Sequence, residues 1–143
     1  MFNIEINATP IEMFDELAHP ANIIINDFHE WIHIPVSYWN IEQYRDSWKK
    51  SIQYGLESKK HAVLVTSMYE PDKLNFVFTW ILYFDDEVVH VQNRVIFVDE
   101  HVNFNINDVN LYIDPRKTHD EDGMEISEWD CELSDIVQFY HSL

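Results

Sequence analysis

The chain has 143 residues, with 26 Asp and Glu against nine Lys and Arg, a formal net charge of −17 and 46% hydrophobic residues. Five Trp, seven Tyr and nine Phe beside only two Gly and five Pro exclude a disordered or low-complexity chain, and the length fits one domain, residues 1–143, with its own core. The acidic field opposes direct binding to nucleic acid or anionic lipid and favours a basic partner, although an acidic surface also serves solubility alone.

Cys131 is the only cysteine, so no intrachain disulfide can form. Met1-Phe2-Asn3-Ile4-Glu5 lacks the start of a secretory signal. No apolar run reaches the ~20 residues of a membrane span. The expectation is a cytoplasmic protein in a reducing compartment.

Phe2-Asn3-Ile4-Glu5-Ile6-Asn7 alternates apolar and polar residues, the pattern of a half-buried strand. Thr9-Pro10-Ile11-Glu12 reads as a short helix start, with Thr9 as N-cap and Glu12 closing a capping box, ended by His19-Pro20. Ile23-Ile24-Ile25 runs into a turn at Asn26-Asp27. From Phe28 to Tyr38, Ile32, Ile34 and Val36 share one side of a two-residue alternation, and His29, Trp31, His33 and Ser37 share the other. Pro35 forbids a helix interior, so an extended edge segment is expected.

Residues 40–57 carry the clearest helix. Asn40 and Gln43 form a capping box, and Ile41, Tyr44, Trp48, Ile52 and Leu56 make one apolar stripe. Gly55 stands near the end, where left-handed caps occur. Five of the nine basic residues fall between Arg45 and Lys60, a locally basic surface. Ala62 to Tyr69 reads as a strand, and Glu70-Pro71-Asp72-Lys73 as a turn.

Phe76 to Val98 is the strongest signal: two β-branched and aromatic runs around Asp85-Asp86-Glu87, a hairpin with both faces expected to be covered. Beyond it, Asp99 to Leu143 holds twelve acids against Arg116 and Lys117, a net of −10. Asn103 to Asn110 reads as loop, Leu111-Tyr112-Ile113 as a short strand, and Thr118 to Gly123 as an acidic turn. Glu125 to Glu132 alternates like an edge strand, and Ser134 would cap a closing helix. The class is α+β: an antiparallel sheet centred on the 76–98 hairpin, packed on the long helix 40–57, with a short C-terminal helix.

Candidate chemistry is sparse. His29-Glu30-Trp31-Ile32-His33 matches the H-E-x-x-H pattern of zinc hydrolases, which works when one helix face presents both His. In an extended chain His29 and His33 stand ~13 Å apart, too far to share a metal. His90 reads as a hydrogen-bonded sheet residue rather than a base. Cys131 has acids around it and no cation in sequence to lower its pKa. No phosphate loop is present, and no cofactor is expected.

A set of strings in order carries a resemblance: Ser37-Tyr38-Trp39, Ser47-Trp48, Val65-Thr66-Ser67-Met68-Tyr69-Glu70-Pro71, Trp80-Ile81-Leu82-Tyr83, Gln92-Asn93, Phe97-Val98-Asp99-Glu100, Asp122-Gly123 and Ile126-Ser127-Glu128-Trp129. Over Ser37 to Phe139 the chain resembles the small immunity proteins of bacterial contact-dependent growth inhibition. The resemblance implies a non-enzymatic cytoplasmic antidote. Its partner would be a cognate toxin domain, often a nuclease, whose basic cleft it would mask.

The toxin-facing residues expected on charge are Asp120, Glu121, Asp122, Glu125, Glu128 and Asp130, with Asp85 and Asp86 at the hairpin turn. Two alternatives stay open at this point. One is a small zinc metallohydrolase using His29 and His33, and the other an acidic regulatory module with an unknown partner.

Overall fold

The computed structural model describes residues 1–143. Two antiparallel four-stranded sheets, rather than the single sheet expected, pack with two α-helices. The first sheet is built from β1 (Phe2–Ile6), β2 (Ile11–Met13), β3 (Glu16–Ile25) and β4 (Phe28–Pro35). β3 is its centre. β1 pairs with residues 21–25 and β2 with residues 16–18 along one edge of β3, while β4 takes the other edge.

The expected helix at Thr9–Glu12 is therefore absent. Phe14 and Asp15 hold φ of 52° and 62° between the paired residues Met13 and Glu16, a two-residue hairpin turn. Strand pairing overrides the local cap signal. His19-Pro20 does not end a helix but sits inside β3, between the stretches paired with β1 and β2. The Pro20 carbonyl accepts from Asn7 N (2.8 Å), and the Asn7 carbonyl, which a Pro20 N–H would have met, is taken instead by His19 Nδ1 (2.7 Å).

Helix α1 (Ile41–Ser58) begins in the expected capping box of Asn40 and Gln43. Its left-handed cap is Lys59 (φ 59°), not Gly55. Gly55 is glycine for another reason: a Cβ there would stand 2.4 Å from Phe84 Cε2 and 2.7 Å from the His61 carbonyl oxygen. The helix lies that close to the second sheet.

That sheet runs β5 (His61–Val65), β6 (Phe76–Asp85), β7 (Val88–Phe97) and β8 (Trp129–Glu132), in chain order. The expected strand at 62–69 stops at Val65, and the one at 125–132 begins at Trp129. One stripe of α1 closes the free edge beyond β5 with polar tips: Ser51 Oγ accepts from Val63 N (2.7 Å), Trp48 Nε1 donates to the Val65 carbonyl (2.7 Å), and Tyr44 Oη accepts from Met68 N (2.9 Å). An otherwise unpaired strand edge is satisfied by side chains seven residues apart on one helix face.

The 76–98 hairpin is as expected at its turn end, where Asp86 (φ 53°) and Glu87 link Asp85 to Val88. Both faces are covered as expected through its middle, with Ile81, Tyr83 and Gln92 buried on one and Leu82 and Val91 on the other, but one face is bare at the open end. Trp80, Leu82 and Phe84 face the core, but Phe76, Phe78, Val95 and Phe97 continue that face outward into solvent. β5 reaches only to Thr79 and β8 only to Val91, so the open end of the hairpin has no strand beside it.

Residues 98–128 run over the other face. The expected strand at Leu111–Ile113 is instead the end of a 3-10 segment, Ile106–Tyr112. Helix α2 (Leu133–Ser142) follows β8 directly, with Glu132 rather than Ser134 at its N-cap; Asp135 accepts from Glu132 N (3.0 Å). A 27-residue core from Phe2 to Phe139 joins both sheets and both helices. Phe2 meets Phe139 edge-on (5.0 Å), and Phe28 of β4 stacks on Trp129 of β8 (4.2 Å).

Candidate functional site

The eight acids expected at the site divide into two groups. Asp85, Glu128 and Asp130 converge on His90. Register does this: β7–β8 pairing sets His90 opposite Asp130, and the two-residue turn makes Asp85 a diagonal neighbour of His90 on the same face. Asn26 Nδ2 holds the Asp130 carbonyl (2.9 Å), fixing β8 against the β3–β4 turn.

His90 Nδ1 donates to Asp130 Oδ1 at 2.7 Å, and Nε2 to Asp85 Oδ2 at 3.1 Å. Glu128 Oε1 stands 3.7 Å from Nδ1. With both ring nitrogens against carboxylates, the ring is an imidazolium when both bonds are made. Burial works against that charge, and the hydrogen bonds His90 donates to Asp130 and Asp85 outweigh it, so the His90 pKa rises above its ordinary value of 6.5.

Glu128 is held from the far side. Arg116 donates Nε to Oε2 (2.8 Å) and Nη2 to Oε1, and buried Gln92 donates Nε2 to Oε2 (2.7 Å). Arg116 is the main cause that keeps the Glu128 carboxyl below its usual range; burial opposes it and Gln92 assists. The Glu128 side chain is only 17% exposed, against 65% for Asp85 and 60% for Asp130. Glu128 thus spends its charge inside the protein, while Asp85 and Asp130 still face water.

Glu128, Asp130 and His90 also have ligand atoms within 4.8 Å of one another, spacing compatible with a divalent cation. A cation there would replace the His90–Asp130 hydrogen bond and leave Asp85 to orient the ring.

The second group is the turn 118–125. His119 bridges to Glu125, Asp120 Oδ1 accepts from Asp122 N and Met124 N (2.9 Å each), and Gly123 supplies the positive φ of 79°. Asp120, Glu121, Asp122 and Glu125 are exposed and form no ion pair, and so is Asp86 at the hairpin turn. These five carry the free negative charge of the expected set.

His29 and His33 lie on β4, opposite Ile24 and Pro20, with His29 close to Asn22 Nδ2 (3.3 Å). The strand separates them as an extended chain must, so the H-E-x-x-H geometry is not formed. Cys131 is buried between Val89 and the closing helix; burial, followed by Asp135, pushes its thiol up to about 12, far from a thiolate at neutral pH.

A model of the CdiI N-terminal domain matches residues 34–139, most of the chain. The chain belongs to the CdiI immunity-protein family. The match begins within β4 and covers α1, the second sheet and nearly all of α2, close to the span of the resemblance read from sequence.

Among CdiI relatives, "Immunity protein CdiI" of Enterobacter cloacae is 51% identical over 143 residues, covering 100% of this chain and 99% of that protein. A solved structure, the CdiA-CT/CdiI toxin and immunity complex from Enterobacter cloacae, contains a chain of 51% identity with a TM-score of 0.96; the match covers 99% of this chain and 97% of that one. The likeness to these CdiI proteins therefore includes the first sheet.

Sequence reasoning missed Arg116 and Gln92 as the residues that fix Glu128. Their partners lie 12 and 36 residues away, so no local spacing announces them. The Asp85–His90 pair was within reach, because a two-residue hairpin turn places positions five apart on one face.

Proposed function

We propose that this chain binds and neutralises the toxin domain of a CdiA-type effector. The single observation that carries the reading is the full-length match to the immunity chain of a toxin and immunity complex. The charge agrees. A net −17 draws a basic domain from solution and speeds encounter.

The toxin in this reading is a nuclease with a basic substrate cleft. The exposed carboxylates Asp86, Asp120, Glu121, Asp122 and Glu125, with Asp85 and Asp130 beside them, stand in for substrate phosphates. Glu128 keeps β8 and Arg116 in place rather than contacting the toxin. The whole chain, residues 1–143, acts in the cytoplasm as one non-enzymatic unit. The basic side of α1 lies away from the toxin.

The test is direct. A cognate CdiA-type toxin domain is purified, its nuclease activity is assayed, and the chain is titrated in. Stoichiometric loss of activity supports the reading. Persistent toxin activity in the presence of a stable complex would sink cleft masking, and absence of any complex would sink toxin binding.

A further inference from the structure

The open end of the β6–β7 hairpin carries an apolar surface that the acidic reading leaves unused. Phe76, Phe78, Val95 and Phe97 are 40%, 49%, 41% and 48% exposed. They are one patch, not scattered residues: Phe76 faces Phe97 across the strands, Phe78 faces Val95, and the Phe76 and Phe78 rings stand 5.3 Å apart. Tyr38, itself 46% exposed, lines with Phe76 a cavity of about 460 Å³ that also takes in Tyr69 and Glu70. Core packing does not need these rings there, since Trp80, Leu82 and Val91 on the same face fill the interior. Contiguous exposed aromatics on a rigid sheet are the usual composition of an interface centre.

We propose that this patch is a second, apolar contact for the toxin domain, apart from the acidic group that Asp85 marks at the other end and on the other face of β6. This rests on the toxin-binding reading above.

Charge selects the occupant. Glu70 lines the same cavity as Phe76, Asp72 is two residues beyond it in sequence, and Asp99 and Glu100 follow Phe97. Lys73 is already paired with Glu70 (3.7 Å), and Arg94 points to the opposite face of β7. An apolar patch with acidic neighbours fits a basic protein with apolar side chains in its own contact surface. A second copy of this chain would bring acid against acid, with −17 on each partner. The two functions then separate physically. Distant and neighbouring carboxylates govern how fast the partners meet, and the buried aromatics govern how long they stay.

The experiment measures binding of the purified toxin domain to Phe78→Ala, Phe97→Ala and Asp99→Lys/Glu100→Lys by surface-based kinetics at two salt concentrations. The phenylalanine side chains are half exposed, so folding is expected to survive; circular dichroism checks it, and the two single variants guard against one of them failing. Each phenylalanine change should raise the dissociation rate about 10-fold or more and leave association within a few-fold. The charge swap should lower association instead, and by less at high salt.

Wild-type dissociation rates in both phenylalanine variants would overturn the patch while leaving toxin binding intact. If wild type itself bound no toxin, the functional reading would fall first. Sedimentation showing a wild-type dimer that either substitution abolishes, with toxin binding unchanged, would assign the patch to self-association and also overturn the proposal.

Discussion

Ser51→Ala removes one oxygen from the seam between α1 and the second sheet. Ser51 is 3% exposed, and its hydroxyl does two things: it accepts from Val63 N (2.7 Å) and donates to Asn110 Oδ1 (2.7 Å). Val63 is fully buried and its N–H points away from β6, so the variant leaves a buried donor without an acceptor. An orphaned buried group costs ~1–3 kcal/mol, and loss of the second bond adds ~0.5–1.5 kcal/mol. Alanine's better helix propensity returns roughly 0.5 kcal/mol. The expected net loss is about 2–3 kcal/mol, a drop of roughly 5–10 °C in Tm for a chain of this size. Urea unfolding and a thermal melt followed by circular dichroism measure it. Gln53→Ala, on the exposed face of the same helix, serves as the control and should stay within ~0.5 kcal/mol. A Ser51→Ala Tm within about 2 °C of wild type, which at this size corresponds to less than about 1 kcal/mol, would refute the claim that helix side chains hold this strand edge.

Three further outcomes follow from the same geometry. Gly55→Ala should destabilise by about 1–2 kcal/mol net, because overpacking against Phe84 and the His61 carbonyl (~1–3 kcal/mol) exceeds the helix gain of up to ~1 kcal/mol; a stabilised variant in urea titration would contradict the close approach. His90 has a folded pKa above its ordinary 6.5, so its stabilisation is fully present below the unfolded value and is lost as pH rises through the folded one. The difference in unfolding free energy between wild type and His90→Gln should therefore shrink between pH 6 and 8, with the pH window set by the ordinary His pKa of about 6.5; a difference that grows would reverse the assignment, and NMR titration of the ring reads the pKa itself. Cys131 should react with a thiol reagent only at the rate of unfolding, given its burial and a pKa of about 12; fast labelling of the native protein would contradict its place under α2.

Much of this fold was legible because periodicity reports burial directly. The three- and four-residue spacing of Tyr44, Trp48 and Ile52 located α1, and the β-branched runs on either side of Asp86-Glu87 located the hairpin with its turn. In the first sheet the alternation at Phe2–Asn7 and the extended segment from Phe28 marked β1 and β4, but the β2–β3 hairpin was hidden for a physical reason. Its tight turn uses Phe14 and Asp15 at positive φ with no glycine or asparagine to announce it, and Thr9-Pro10-Ile11-Glu12 imitates a helix cap. Long-range pairing decided that segment, and no local window contains such pairing. The same limit governs the site. Acid counting found Asp85, Glu128 and Asp130, but not that Arg116 and Gln92 occupy Glu128. The exposure of Phe78 and Phe97 was equally invisible, since an apolar run looks the same whether its outer face is covered or bare.

The measurement closest to the central claim is binding of this chain to a cognate CdiA-type toxin domain, by titration calorimetry with a parallel toxin assay. The account predicts one-to-one binding in the nanomolar range, tighter at low salt, with toxin activity falling in step with occupancy. No heat of binding at micromolar concentrations, together with undiminished toxin activity, would contradict it.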